Sequence, residues 1–293
     1  MVAGQRGGSG GLSRRLTLFL AVALLWGGPY ALIKVAVDDL DPLTLGAVRL
    51  AIGALTLLPL ALRSGAFADL RGRMRWVVAL GVLELALPFS LIGAGEQRIP
   101  SALTGLLVAA VPLILAVATL RIPAERGGPL RLAGVLTGFA GVGLLLGFEL
   151  PEGSDGAAGA AMVLLACVGY AAGGLILRYR FAGTRPEGVM AAAMAVGAAV
   201  LAVPGAVAAA GATPHASSVL ATVVLGIGPT GLAFYLFALL NAEIGPARAS
   251  VVAYIAPVFA LGFGVGFLDE SVGPATFAGL ALILAGSRLA ARS

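Results

Sequence analysis

Residues 124–141 read AERGGPLRLAGVLTGFAG, and residues 269–286 read DESVGPATFAGLALILAG. Glu125 and Glu270, Gly128 and Gly273, Pro129 and Pro274, Gly134 and Gly279, and Gly141 and Gly286 all share one offset of 145. A chain with only 14 acidic residues has little reason to write the same acid, glycine and proline pattern twice unless the pattern is inherited by duplication. At the same offset, LGVLELALPFSL from Leu80 falls over LGIGPTGLAFYL from Leu225, and Pro112 over Pro257. At 144, WGGPYALIK from Trp26 falls over YAAGGLILR from Tyr170, and Pro42 over Pro186. The chain is two copies of one unit.

Composition says what medium that unit lives in. Of the 293 residues 59% are hydrophobic and 11% charged, where a soluble domain carries about 25% charge. Breaking the chain at charged, glycine-rich and proline-rich punctuation leaves ten apolar runs, at 16–36, 42–62, 75–94, 101–120, 129–148, 157–177, 187–208, 218–240, 247–267 and 274–291. Each is about the length that crosses a hydrocarbon core as a helix. A β-barrel would alternate polar and apolar residues in segments of about ten, which these runs do not.

The expectation is an all-α membrane protein of ten transmembrane helices in two inverted five-helix repeats. Residues 1–15 form a glycine-rich, basic, disordered cytoplasmic N-terminus, 16–148 the first repeat and 157–291 the second. Because five is odd, the second copy enters the membrane upside down. Inverted repeats are a recurring plan of secondary transporters, with the solute site near the midplane between the halves. A duplicated scaffold without transport is the alternative.

Orientation follows from the basic residues. With the N-terminus inside, every Lys and Arg except Lys34, Arg49 and Arg98 falls in a cytoplasmic segment or helix end, so the positive-inside rule places both termini in the cytoplasm. A pI near 10 would suggest nucleic acid for a soluble protein. Here the charge lies in short loops, and no nucleic-acid partner is expected. Cys167 and His215 are single, so no disulfide, metal or catalytic Cys/His set can be assembled. The glycine runs lack the lysine of a nucleotide loop. No cofactor is expected.

The strings WGGPYALIK, DPLTLGAVRLAIGAL, GEQRIPSALTGLLVAAVPLILAV, AERGGPLRLAGVLTGFAGVGLLL, ARASVVAYIAPVFALGFG and DESVGPATFAGLALILAG resemble the EamA-like branch of the drug/metabolite transporter superfamily. The likeness runs from about Leu16 to Ala290, with both repeats in order. It implies ten helices, cytoplasmic termini, and export of amino acids, other metabolites or drugs. One departure is PAER at 123–126 and LDES at 268–271, where the family usually writes Gly-Glu.

Charge inside a membrane needs a reason. Lys34, near the outer end of the first span, can snorkel to the interface or take part in gating. Arg49 lies about two turns into the second span; it either faces a cavity and attracts a carboxylate or locks helix packing. Glu84 is the one acid well inside a run, and its repeat mate is Pro229. It either exchanges a proton or meets a cationic solute, or it braces the bundle through a hydrogen bond or an ion pair with Arg49. Aromatic residues make up only 6% of the chain, so Trp26, Tyr30, Tyr170, Tyr235 and Tyr254 are the candidate lining of a solute pocket. Pro112 and Pro257 are candidate helix kinks. Gly134, Gly138, Gly141, Gly279 and Gly286 form a close-packing surface, either within the chain or in a homodimer.

These readings converge on a secondary transporter of small organic solutes in the cytoplasmic membrane, an exporter working by alternating access, whose partners are its solute and membrane lipid. The rivals are a flippase for lipid-linked sugar or phospholipid and, less favoured, an intramembrane enzyme.

Overall fold

In a computed structural model the described residues are 9–120, 128–244 and 252–290, the side chains of 9–13, 241, 242 and 254 apart. Among them every regular element is helical. Eight stretches are long and apolar enough to cross a membrane, from Arg14–Val37 to Ala216–Leu240. The last two apolar helices are shorter in their described parts, Ile255–Leu268 and Pro274–Ala290. Leu55, Leu136, Val203, Val207 and Leu220 are each more than 45% exposed, a surface that lipid, not water, accommodates.

Among the described residues four of the crossings are interrupted, and a proline lies at or beside each break: Pro29, Pro88, Pro112 and Pro229. The first is α1 (Ser9–Gly27) followed by α2 (Pro29–Val37); Gly28 and the donor-less Pro29 part them. A Cβ on Gly27 would fall 2.4 Å from Phe259 Cβ and 2.5 Å from the Ala256 carbonyl oxygen, so glycine there lets two helices touch. After α3 (Pro42–Ser64), the third crossing runs through α4 (Met74–Leu80), a π-helical turn (Gly81–Ala86) and α5 (Leu87–Glu96). Pro88 cannot donate to the carbonyl of Glu84, and the wider π turn relieves the clash.

The fourth crossing breaks into α6 (Ser101–Val108) and α7 (Val111–Thr119), with Pro112 in the first turn of α7. Helices α8 (Pro129–Phe148), α9 (Ser154–Arg180) and α10 (Pro186–Ala208) follow. Next come α11 (Ala216–Leu225), a second π turn (Gly226–Leu232) and α12 (Ala233–Ile244). The two π turns begin 145 residues apart and interrupt equivalent helices. The chain continues through α13 (Val252–Leu268) and α14 (Pro274–Ala290). The proline pair therefore behaves unequally. Pro112 sits at a break, whereas Pro257 lies within the continuous α13.

The two most extensive contacts between the halves each join repeat-equivalent helices. In α3·α10, Thr44 Oγ1 donates to the Gly205 carbonyl at 2.8 Å, while further along Gly53 abuts Met194 and Gly188 abuts Ala66. The pair is antiparallel. In α8·α14, a Cβ on Gly134 would meet the Ala290 nitrogen at 2.5 Å, and one on Gly141 the Gly279 carbonyl at 2.6 Å. This pair is antiparallel too. Lipid tails are as apolar as leucine, so helices associate by close contact, and small residues permit it. The repeated glycine string makes close contacts of this kind inside the chain.

Polar contacts pin the bundle's ends. At the end bearing the N-terminus, Asp69 accepts from the backbone nitrogen and Nε of Arg185, both at 2.9 Å, and from Nη2 at 2.8 Å. Those bonds hold the Asp69 carboxyl well below the usual carboxylate range and raise the Arg185 guanidinium. At the opposite end Asp39 accepts from Ser218 Oγ at 2.5 Å and from the His215 backbone at 3.0 Å. The Ser218 and then the His215 bonds lower its pKa to about 2. Glu270 accepts there from the backbone nitrogens of Ser101 and Ala102 at 2.7 and 2.8 Å, capping α6 from the other half.

Candidate functional site: a charged cavity between the halves

Because α2, α3, the first π turn, α6, α9, the second π turn and α13 meet between the two halves, a cavity of about 240 Å³ remains at their junction. Its wall is mostly apolar, from Ile33, Phe89, Ile92, Val108 and Phe234 among others. Three expected rings, Trp26, Tyr30 and Tyr170, line it, as do Glu84, Arg49, Pro112 and Pro257. Trp26 and its repeat mate Tyr170 thus face one space from opposite halves. The Trp26 ring is held edge-on by Phe234, with centroids 5.7 Å apart, and by Phe237 at 4.7 Å.

Tyr235 is a correction: it does not line the cavity but packs against the core between α3 and α10, and its neighbour Phe234 takes the place at the wall. One residue along a helix turns the side chain by about 100°, so the pairing of adjacent aromatics left the choice of face open. The Tyr254 side chain lies outside the described residues.

Arg49 is only 7% exposed. Its Nε donates to Thr230 Oγ1 at 2.7 Å, and its guanidinium carbon lies 4.1 Å from the centroid of the Phe89 ring. The bond to Thr230 crosses from the first half to the π turn of the second. A cation over an aromatic face and a single neutral acceptor stabilise the charge only in part. Among the described residues its other N–H groups meet no acceptor.

Glu84 is 8% exposed, and its Oε2 has no hydrogen-bond partner. It makes no ion pair with Arg49, which removes that bracing explanation; the two side chains line the same cavity without pairing. The acid reaches the wall over Gly173, where a Cβ would sit 1.6 Å from Oε2 and 2.6 Å from the Glu84 Cβ. A buried carboxyl oxygen without a partner is costly to keep inside a membrane protein.

Lys34, close to the end of the first crossing, reaches the end of the third. Its Nζ donates at 2.5 Å to the carbonyl of Glu96, at the C-terminus of α5, where a cation also meets the negative end of a helix. Glu96 itself escaped the sequence reading, because the third run was ended at residue 94. The helix continues to Glu96, which is fully buried with both carboxyl oxygens unpartnered. Thr230, Phe89, Phe234 and Gly173 were also missed; each is unremarkable in its own segment and gains its role from a neighbour distant in sequence.

Comparison with known proteins agrees with this architecture. The EamA-like transporter family matches residues 14–147 and again residues 157–292. The uncharacterized inner membrane transporter YedA of Escherichia coli K12 is 30% identical over 270 residues, covering 90% of this chain and 86% of that protein. Protein PagO of Salmonella typhimurium LT2 is 25% identical over 119 residues, covering 40% of this chain and 39% of PagO. A solved crystal structure of a protein, 27% identical, superposes with a TM-score of 0.70 and covers 95% of this chain and 97% of that one. With two domain matches in tandem and a full-length relative, the chain belongs to the EamA-like transporter family.

Proposed function

We propose that the protein exports small organic solutes across the inner, cytoplasmic membrane by alternating access of two inverted five-helix repeats. Family membership supports a membrane transporter rather than an enzyme. Antiparallel packing of equivalent helices in both α3·α10 and α8·α14 supports the inverted arrangement, with the two shorter helices α13 and α14 as the ninth and tenth crossings. Both termini then lie in the cytoplasm, in accord with the arginine bias.

The observation that carries the reading is the cavity between the halves, which brings two ionisable side chains that do not pair, Arg49 and Glu84, together with the rings of Trp26, Tyr30 and Tyr170. Apolar rings hold the body of a solute while a few polar groups orient it. Glu84 is the ionisable switch, exchanging its proton when the cavity changes the side to which it opens.

An untargeted comparison of metabolites in cells with and without the protein supplies candidate solutes, to be loaded into proteoliposomes with the purified chain. Glu84→Gln keeps the shape of the side chain and should abolish accumulation driven by a pH gradient while leaving exchange between equal solute pools. Unchanged proton-driven accumulation in a well-folded Glu84→Gln protein rules out the switch and leaves the acid a bracing role.

A further inference from the structure

At the end of the bundle away from the N-terminus lies a second pocket, of about 200 Å³, between the segment after α8 and the segment leading into α14. Its wall includes Phe148, Glu149, Pro151, Ser271 and Thr276, and the start of α6 at Ala102. Thr276 is 2% exposed, and its Oγ1 has no partner. Glu149 packs beside Gly273, where a Cβ would sit 3.0 Å from Oε1, and its carboxylate makes no hydrogen bond or ion pair with a described residue.

The polarity of this pocket has a sign. The start of α6 would ordinarily offer backbone donors to an anion, but Glu270 already occupies the N–H groups of Ser101 and Ala102. No lysine or arginine lines the wall among the described residues. What remains unpartnered is a carboxylate, which accepts, and a hydroxyl, which accepts as well as donates; the carboxylate sets the preference for a cation with N–H groups.

Depth identifies the source of that cation. Phe148 at the end of α8, Phe267 near the end of α13 and Phe277 in the first turn of α14 are 74%, 75% and 57% exposed. Three projecting apolar rings at one end of three helices set the pocket beside the acyl chains of the surrounding lipid. We propose that this pocket binds the primary ammonium of an ethanolamine phospholipid, with Glu149 and Thr276 as its acceptors and Phe148 beside the glycerol and acyl region. The site adjoins the contact in which Glu270 joins the halves, so a bound lipid braces that junction.

The test uses the full-length chain in nanodiscs, with native mass spectrometry to count retained lipid and three probes: dioleoyl phosphatidylethanolamine, dioleoyl phosphatidylcholine and free phosphoethanolamine. Phosphatidylcholine carries the same charge but no N–H. The ethanolamine lipid should be retained about tenfold more strongly, the scale of one charge-assisted hydrogen bond. Glu149→Gln should erase that preference and Thr276→Val reduce it. Neither change threatens folding: Glu149 is half-buried, and valine is close in shape to a threonine whose hydroxyl is unpaired. Equal thermal midpoints in phosphatidylcholine discs would verify this. Equal retention of the two lipids by the unaltered chain would overturn recognition of the ammonium, and an undiminished preference in Glu149→Gln would overturn the site. Binding of free phosphoethanolamine as tight as that of the lipid would overturn the lipid as its occupant.

Discussion

At the scale of single residues, the cavity depends on pairs that lie far apart in the chain. Glu84 can reach the wall only because position 173 has no side chain: a Cβ there would be 2.6 Å from the Glu84 Cβ as well as overlapping Oε2. The carboxyl end can swing aside, but the Cβ cannot. Gly173→Ala should therefore lower the thermal midpoint, at a cost of about 1–3 kcal/mol typical of overpacking. In a Glu84→Gly chain the same substitution should cost at least ~1 kcal/mol less, because the colliding group is gone. Additive losses in the double variant would show that the two positions do not meet. Glu84 was legible in the sequence as an acid inside an apolar run. Gly173 was not, since one glycine among the chain's 43 carries no mark of what it faces.

At the scale of elements, helices are joined by glycine contacts in the membrane and by polar clasps outside it. A Cβ on Gly286 would lie 2.3 Å from the Gly138 nitrogen and 2.5 Å from the Gly134 carbonyl oxygen, backbone atoms with nowhere to go. Gly286→Leu should part α8 from α14 and reduce the yield of folded protein. If a well-folded Gly286→Leu chain instead differed only in oligomeric state, the glycine string would be an intermolecular surface after all. The clasp of Asp39 with Ser218 and His215 behaves differently, because it titrates. Its folded pKa of about 2 lies below the ordinary 3.8, so its contribution is complete above the ordinary value and is lost as pH falls through the folded one. From pH 5 downward, the gap in thermal midpoint between the native chain and Asp39→Asn should hold at first and close near pH 2. A gap that stays constant to that pH would assign the stabilisation to something other than the carboxylate.

For the whole molecule, the inverted plan makes a claim about sides. Arg71 follows α3 and Thr213 follows the equivalent α10; both are exposed. Cys167, the only cysteine, is buried. In a Cys167→Ala background, single cysteines at 71 and 213 should react with a membrane-impermeant maleimide from opposite faces, 71 from the cytoplasm. Labelling from one face would refute the inverted repeat and, with it, the alternation of the cavity between sides.

The membrane class, the duplication and the approximate limits of the helices were written in the sequence, because each follows from local quantities: apolar run length, the spacing of glycine and proline, and one repeated offset. That Trp26, Tyr30, Arg49, Glu84 and Tyr170 line one cavity was inferable from position within those runs. Tertiary structure alone decided that Arg49 rests on Thr230 and Phe89 instead of on Glu84, that Lys34 reaches the carbonyl of Glu96, and that Phe234 rather than Tyr235 meets the cavity. It also decided the two π turns, which rotate every later side chain on their helices relative to a regular 3.6-residue repeat. Partner choice in a packed bundle is set by helix rotation and by contacts between segments more than a hundred residues apart, and no local pattern in the chain encodes that.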